Sequence, residues 1–220
     1  MSPTFVTAAS SNHFKSLCQL LETLRGQRVF VYDLGLTTGE GDHICSTFEV
    51  IYRTFPFHHY PPHVSLSSQD AGAYAWKPII VSDVFAEIDG VLIWCDAGNK
   101  VTDPVALEQC VRSTGVYTPT SSGTIATWTH PIALATMGVP KQWYGFTMRN
   151  AACIGFLKGS ADPLVAEWRS FALDKNAILP LGANRSNHRH DQSILTFLYY
   201  KYKVVRRDDY VGFSIHNDID

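Results

Sequence analysis

Residues 74–101, YAWKPIIVSDVFAEIDGVLIWCDAGNKV, decide the fold class. Pro78 is tolerated in a first helical turn, and this placement predicts a helix from Tyr74 to about Ile88. Val91 to Trp94 then form an apolar strand that ends at Asp96-Ala97-Gly98-Asn99. Upstream, Phe5 to Ala8 read as a strand. Ser10, Ser11 and Asn12 follow as N-cap residues, and Phe14, Leu17, Leu20, Leu21 and Leu24 recur at helical spacing up to Gly26. Val29 to Tyr32 form a second buried strand that runs into Asp33. Thr37 to Asp42 read as a polar turn, Cys45 to Phe55 as a looser strand with Phe48, Val50 and Tyr52 on one face, and Pro56 to Gln69 as a loop. Downstream, helices are predicted at Pro104–Ser113, from Asp162, and at Asp191–Lys201. Strands are predicted at Ala152–Phe156 and Tyr202–Val205, while the Thr/Ser/Gly-rich stretch 115–128 favours neither.

Strands alternating with helices predict an α/β fold, a single-domain α/β/α sandwich over residues 1–220 with a mainly parallel central sheet. The 220 residues are 45% hydrophobic and 17% charged, which excludes a disordered chain. A net charge of −2 without a Lys/Arg block argues against nucleic acid as a partner. No apolar run approaches the roughly 18 residues of a membrane span, and the first residues do not read as a signal peptide. The five cysteines are widely spaced without a CxxC pair, and Cys18, Cys95, Cys110 and Cys153 lie in apolar contexts. They read as small hydrophobes of a reducing, cytoplasmic protein.

In parallel sheets ligands sit beyond the carboxyl ends of strands. This rule selects Ala8 to Asn12, Asp33 to Leu36, Asp96 to Asn99 and Asn150. Asp96 can hold a hard divalent cation, bind a ribose, or close an Asx-turn. Lys77 at a helix entrance works against the helix dipole, so it answers an anion or is a solvated residue beside Trp76. Asn187 to Gln192 gather His188, Arg189, His190 and Asp191 before a helix. They make either an N-cap with a solvated loop or an anion-holding acid–base site. His58, His59 and His63 flank Pro61 and Pro62 without a Cys or carboxylate among them, a poor metal site. GxGxxG, GxxxxGK[ST], GxSxG and HExxH are all absent.

The segments FVTAASSNH (5–13), VYDLGL (31–36), AWKP (75–78), WCDAG (94–98), Asn150 through Gly155-Phe156, and HRHDQS (188–193) together resemble nucleotide-diphosphosugar transferases of the glycosyltransferase A-type, Rossmann-like fold. The resemblance spans about residues 4–200. It implies a nucleotide-sugar-binding half over about 1–100 and an acceptor-binding half over about 101–220. Thr7, Ala8, Ala9, Asn12 and Asp33 would meet the base and ribose, and Lys77 the pyrophosphate. Asp96, Ala97 and Gly98 would correspond to an Asp-x-Asp metal motif.

Gly98 stands where that motif has its second carboxylate. Mn²⁺ or Mg²⁺ would then need Asn99, a water or a distant histidine, for which the resemblance offers His216, or the reaction would proceed without metal. Asp191, with His190 and Arg189 beside it, would be the general base or the group that orients an acceptor hydroxyl. The implied partners are a nucleotide-diphosphosugar donor and a carbohydrate or glycoconjugate acceptor. Gly98 keeps open a non-catalytic carbohydrate- or protein-binding module. A nucleotidyl- or phosphoryl-transferring enzyme is the other alternative, although it would need a carboxylate pair for two metals.

Overall fold

Six consecutive residues with no charge among them, Thr4–Ala9, form β1 and are buried along their whole length. The computed structural model describes residues 2–220. β1 is an inner strand of a six-stranded sheet with β2 (Arg28–Asp33), β3 (Ile51–Thr54), β4 (Val91–Cys95), β6 (Val116–Tyr117) and β9 (Cys153–Leu157), in the order β3-β2-β1-β4-β9-β6. The first four strands run parallel, and β9 runs antiparallel to both β4 and β6. Parallel neighbours need crossovers, and helices supply them. These are α1 (Phe14–Thr23), α2 (Thr38–Thr47), and, between β3 and β4, α3 (Gln69–Ala73) and α4 (Trp76–Glu87). This is the expected α/β class.

Alternation along each strand divides the core between the two faces. Val6, Phe30, Leu92, Trp94, Ile154 and Phe156 face α4, α8 (Asp162–Leu173) and α10 (Asp191–Lys201). Phe5, Val29, Val31, Ile93 and Cys153 face α1, α2 and α5 (Pro104–Thr114). Leu17, Leu20 and Leu21 of α1 are buried, each contributing roughly 1.5–3 kcal/mol. Smaller elements complete the chain: β5 (Lys100–Val101) pairs with β10 (Phe213–Ser214), β7 (Thr120–Thr124) pairs with β8 (Thr147–Arg149), and α6 (Ile125–Trp128), α7 (Pro131–Met137) and α9 (Lys175–Ile178) are short.

Three local expectations change. Residues 37–42 start a helix instead of a turn, because Thr37 and Glu40 form a reciprocal capping box. That helix runs to Thr47, so only Ile51–Thr54 of the 45–55 stretch is strand. Residues 202–205 form no strand: the chain leaves α10 through a turn, with Lys203 at φ 50°. Of the cysteines read as apolar, Cys95, Cys110 and Cys153 are buried and Cys18 half-buried.

Candidate active site

The carboxyl ends of β1, β2 and β4 open on a cavity of about 490 Å³. β9 is antiparallel, so its start lies beside the end of β4. There Asp96 N–H and Asn99 Nδ2 both donate to Ala152 O, at 2.8 and 2.7 Å. Ala8 and Ala9, small and buried, bring the backbone of β1 to the cavity wall, and Asn12, Asp96, Ala97, Gly98 and His216 also line it.

Lys77 lies behind this wall. Its helix, α4, is buried on most of its surface, so the side chain has no route to water and is only 4% exposed. The ammonium donates to Ala151 O at 3.1 Å and pairs with Asp96 Oδ1 at 2.9 Å and Asp191 Oδ2 at 3.3 Å. Burial opposes the charge, but Asp191 and Asp96 outweigh it and hold the ammonium above the ordinary lysine range. Asp191 is held above the ordinary aspartate range by burial, against the pull of Lys77. No N–H is aimed at Asp191 Oδ2, although the ammonium is within ion-pair reach. Trp94 Nε1 donates to Asp96 Oδ1 at 2.7 Å, fixing the carboxylate that faces the cavity.

The polar residues before α10 separate into different surroundings. His188 is fully buried, accepting from His130 N–H at 3.3 Å and donating from Nε2 to Ala177 O at 3.1 Å. Burial, with His190 nearby, pushes its pKa down to about 3, so it is a neutral structural group. Arg189 stacks its guanidinium on Trp128 at 4.1 Å. His190 is buried and bridges Ile178 O at 3.0 Å and Asp70 Oδ2 at 3.1 Å. Neither Arg189 nor His190 reaches the cavity wall, and Asp191 stands one ammonium behind Asp96. Thr7 is buried with its hydroxyl unpartnered, and Asp33 accepts from the N–H groups of Gly35 and Leu36, both at 2.7 Å, closing its own turn off the cavity.

Asp96 and His216 both face the cavity, but among the described residues they gather no third His, Cys, Asp or Glu donor. Among the described residues, three such donors come together only at His13, Asp218 and Asp220, all exposed. A Cβ on Gly98 would collide with the Asp218 carboxylate, which fills the space a side chain there would need. Asp96 thus answers an ammonium through Oδ1.

Asp70, Tyr74, Arg185, His13 and Asp218 also line the cavity, and the sequence pattern did not single them out. One signal was available: the tripeptide Asp-Ala-Gly occurs at 70–72 and again at 96–98, and both copies contribute to the wall.

A family described as a protein of unknown function, DUF1647, matches residues 1–82. No curated protein matches the chain. Among solved structures, the apo structure of WbbM, a bifunctional glycosyltransferase, aligns with a TM-score of 0.57 at 11% identity. The match covers 91% of this chain and 38% of that one, so the chain spans under two-fifths of the length of WbbM. At this identity the likeness is one of architecture, and the fold is glycosyltransferase-like.

Proposed function

We propose that the chain transfers a glycosyl group from a nucleotide-diphosphosugar to the hydroxyl of a carbohydrate or glycoconjugate acceptor. The observation that carries this reading is the Asp96–Lys77–Asp191 array, set at the carboxyl end of β4 against a cavity bounded by β1 and β2. The donor's bond from the anomeric carbon to the diphosphate breaks, the acceptor oxygen bonds to that carbon, and the acceptor proton leaves. Asp96, the carboxylate of the array that lines the cavity, takes that proton, and Asp191 behind it shares the Lys77 ammonium with Asp96. Lys77 donates to Ala151 O and pairs with Asp96 and Asp191, so it holds the two carboxylates in place. Arg185 lines the cavity without an ion-pair partner among the described residues, and it meets the charge that develops on the leaving diphosphate.

Thermal-shift and calorimetric titration with nucleoside diphosphates, nucleoside triphosphates and nucleotide sugars, with and without Mn²⁺, tests this reading. Stabilisation by a nucleotide-diphosphosugar is expected, and stabilisation by triphosphates alone or by none of these would overturn it. Asp96→Asn is expected to lower turnover about 10²–10⁴-fold while donor binding survives. Unchanged turnover would remove Asp96 from the mechanism.

A further inference from the structure

The cavity wall contains a run of backbone that most side chains avoid. Asp70 (φ 50°, ψ 46°), Ala71 (52°, 48°), Gly72 (70°, 27°), Ala73 (φ 52°) and Tyr74 (54°, 19°) form one left-handed turn, and four of the five are not glycine. Each such residue costs roughly 1–2 kcal/mol. The turn is held from several directions. A Cβ on Gly72 would collide with Val64 O, so the backbones lie in direct contact there. Trp76 Nε1 donates to Ala71 O at 3.0 Å, and Gln69 Nε2 donates to Ala183 O at 2.6 Å. His190, itself at φ 47°, reaches Asp70 Oδ2 while anchored on Ile178 O.

Strain of this kind persists where the surroundings over-determine it, and it concentrates at ligand sites. Here its result is visible. In a helical turn of either hand, residues four apart share a face, and Asp70 and Tyr74 both line the cavity. Asp70 Oδ2 is taken by His190, and nothing among the described residues donates to Oδ1. The carboxylate is therefore oriented, with one oxygen open. Tyr74 and Trp76, with ring centroids 6.0 Å apart, line the cavity with it. An aromatic face takes the C–H side of a pyranose, and an oriented carboxylate accepts from ring hydroxyls. Inverting one hydroxyl turns its O–H away from the acceptor and forfeits a charged hydrogen bond.

We infer that Asp70 selects the sugar of the donor, through a hydroxyl of the pyranose bound beside Tyr74 and Trp76. This rests on the nucleotide-sugar reading above. The test measures binding of UDP, GDP and two epimer pairs, UDP-glucose with UDP-galactose and GDP-glucose with GDP-mannose, by calorimetry. Wild type, Asp70→Gly and Asp70→Asn are compared. Glycine and asparagine both tolerate positive φ, so each variant keeps the turn, checked by circular dichroism. Wild type is expected to separate one epimer pair by about 10–100-fold, the worth of one charged hydrogen bond. Asp70→Gly is expected to bring that pair within about twofold while the corresponding nucleoside diphosphate binds as before, and Asp70→Asn to fall between. Retained discrimination in Asp70→Gly, or a wild type blind to both pairs, overturns the inference and leaves the nucleotide-sugar reading intact. Loss of diphosphate binding in the variants also overturns it, because Asp70 would then support the whole cavity. A wild type that binds none of these probes overturns both.

Discussion

Lys77 concentrates the chemistry of this protein at the residue scale. Its position at a helix entrance already marks it in the sequence, since a cation there opposes the dipole. Its partners, though, come from positions 96 and 191, and no local pattern joins them. Removing the ammonium leaves Asp191 buried and uncompensated beside Asp96. Lys77→Met should therefore cost about 3–5 kcal/mol in urea unfolding. Adding Asp191→Asn should recover part of that loss, because the double variant no longer buries the stranded charge. A single-variant cost below about 1 kcal/mol would show that the array does not support the fold. Asp96 was legible because it directly follows an apolar strand. Asp70 was not, because its importance comes from a backbone conformation that its neighbours impose.

At the scale of elements, the start of α10 shows how one sequence cluster becomes several environments. The chain turns sharply before α10, with His190 at φ 47° and ψ −118°, so neighbours in sequence face different parts of the molecule. His188 goes to the core, Arg189 to Trp128, His190 to Asp70, and Asp191 to Lys77. The buried imidazole carries a pH dependence. His188 titrates near 3 when folded against 6.5 as an unperturbed group, so the unfolded chain binds the extra proton between those values. Its contribution is fully present above pH 6.5 and is lost as pH falls towards 3, at up to about 1.4 kcal/mol per pH unit. His188→Gln keeps a donor and an acceptor without titrating, so its loss of stability between pH 7.5 and pH 5 should be smaller than that of wild type. Equal losses in the two proteins would contradict the assignment. Residues 37–42 belong to this scale as well: Thr and Glu three apart suit either a loop or a capping box, and the helix that follows decides which.

For the whole molecule, function depends on the packing of layers. α5 lies so close to β9 that a Cβ on Gly155 would collide with Val111, a stiff β-branched side chain that is fully buried. Gly155→Ala should push this helix off the sheet and cost about 1–3 kcal/mol, measured as a lower urea midpoint with unchanged slope. A neutral result would mean that this interface is looser than its geometry. The cavity itself joins Ala8 to His13 with residues 215–218, about 200 positions away. Asn217 N–H donates to Gly98 O at 2.8 Å, and Gln19 Nε2 donates to Asn217 O at 2.7 Å, seating that late segment across the end of β4. Apolar periodicity was enough to establish the α/β class, most of the main helices and most strands of the sheet, because period and burial are properties of neighbouring residues. Strand order, the reversal of β9, the pairing of Lys77 with two distant carboxylates and the left-handed turn at Asp70 required the folded molecule. Those depend on which surfaces meet after collapse, and energies between residues far apart in sequence leave no mark on local pattern.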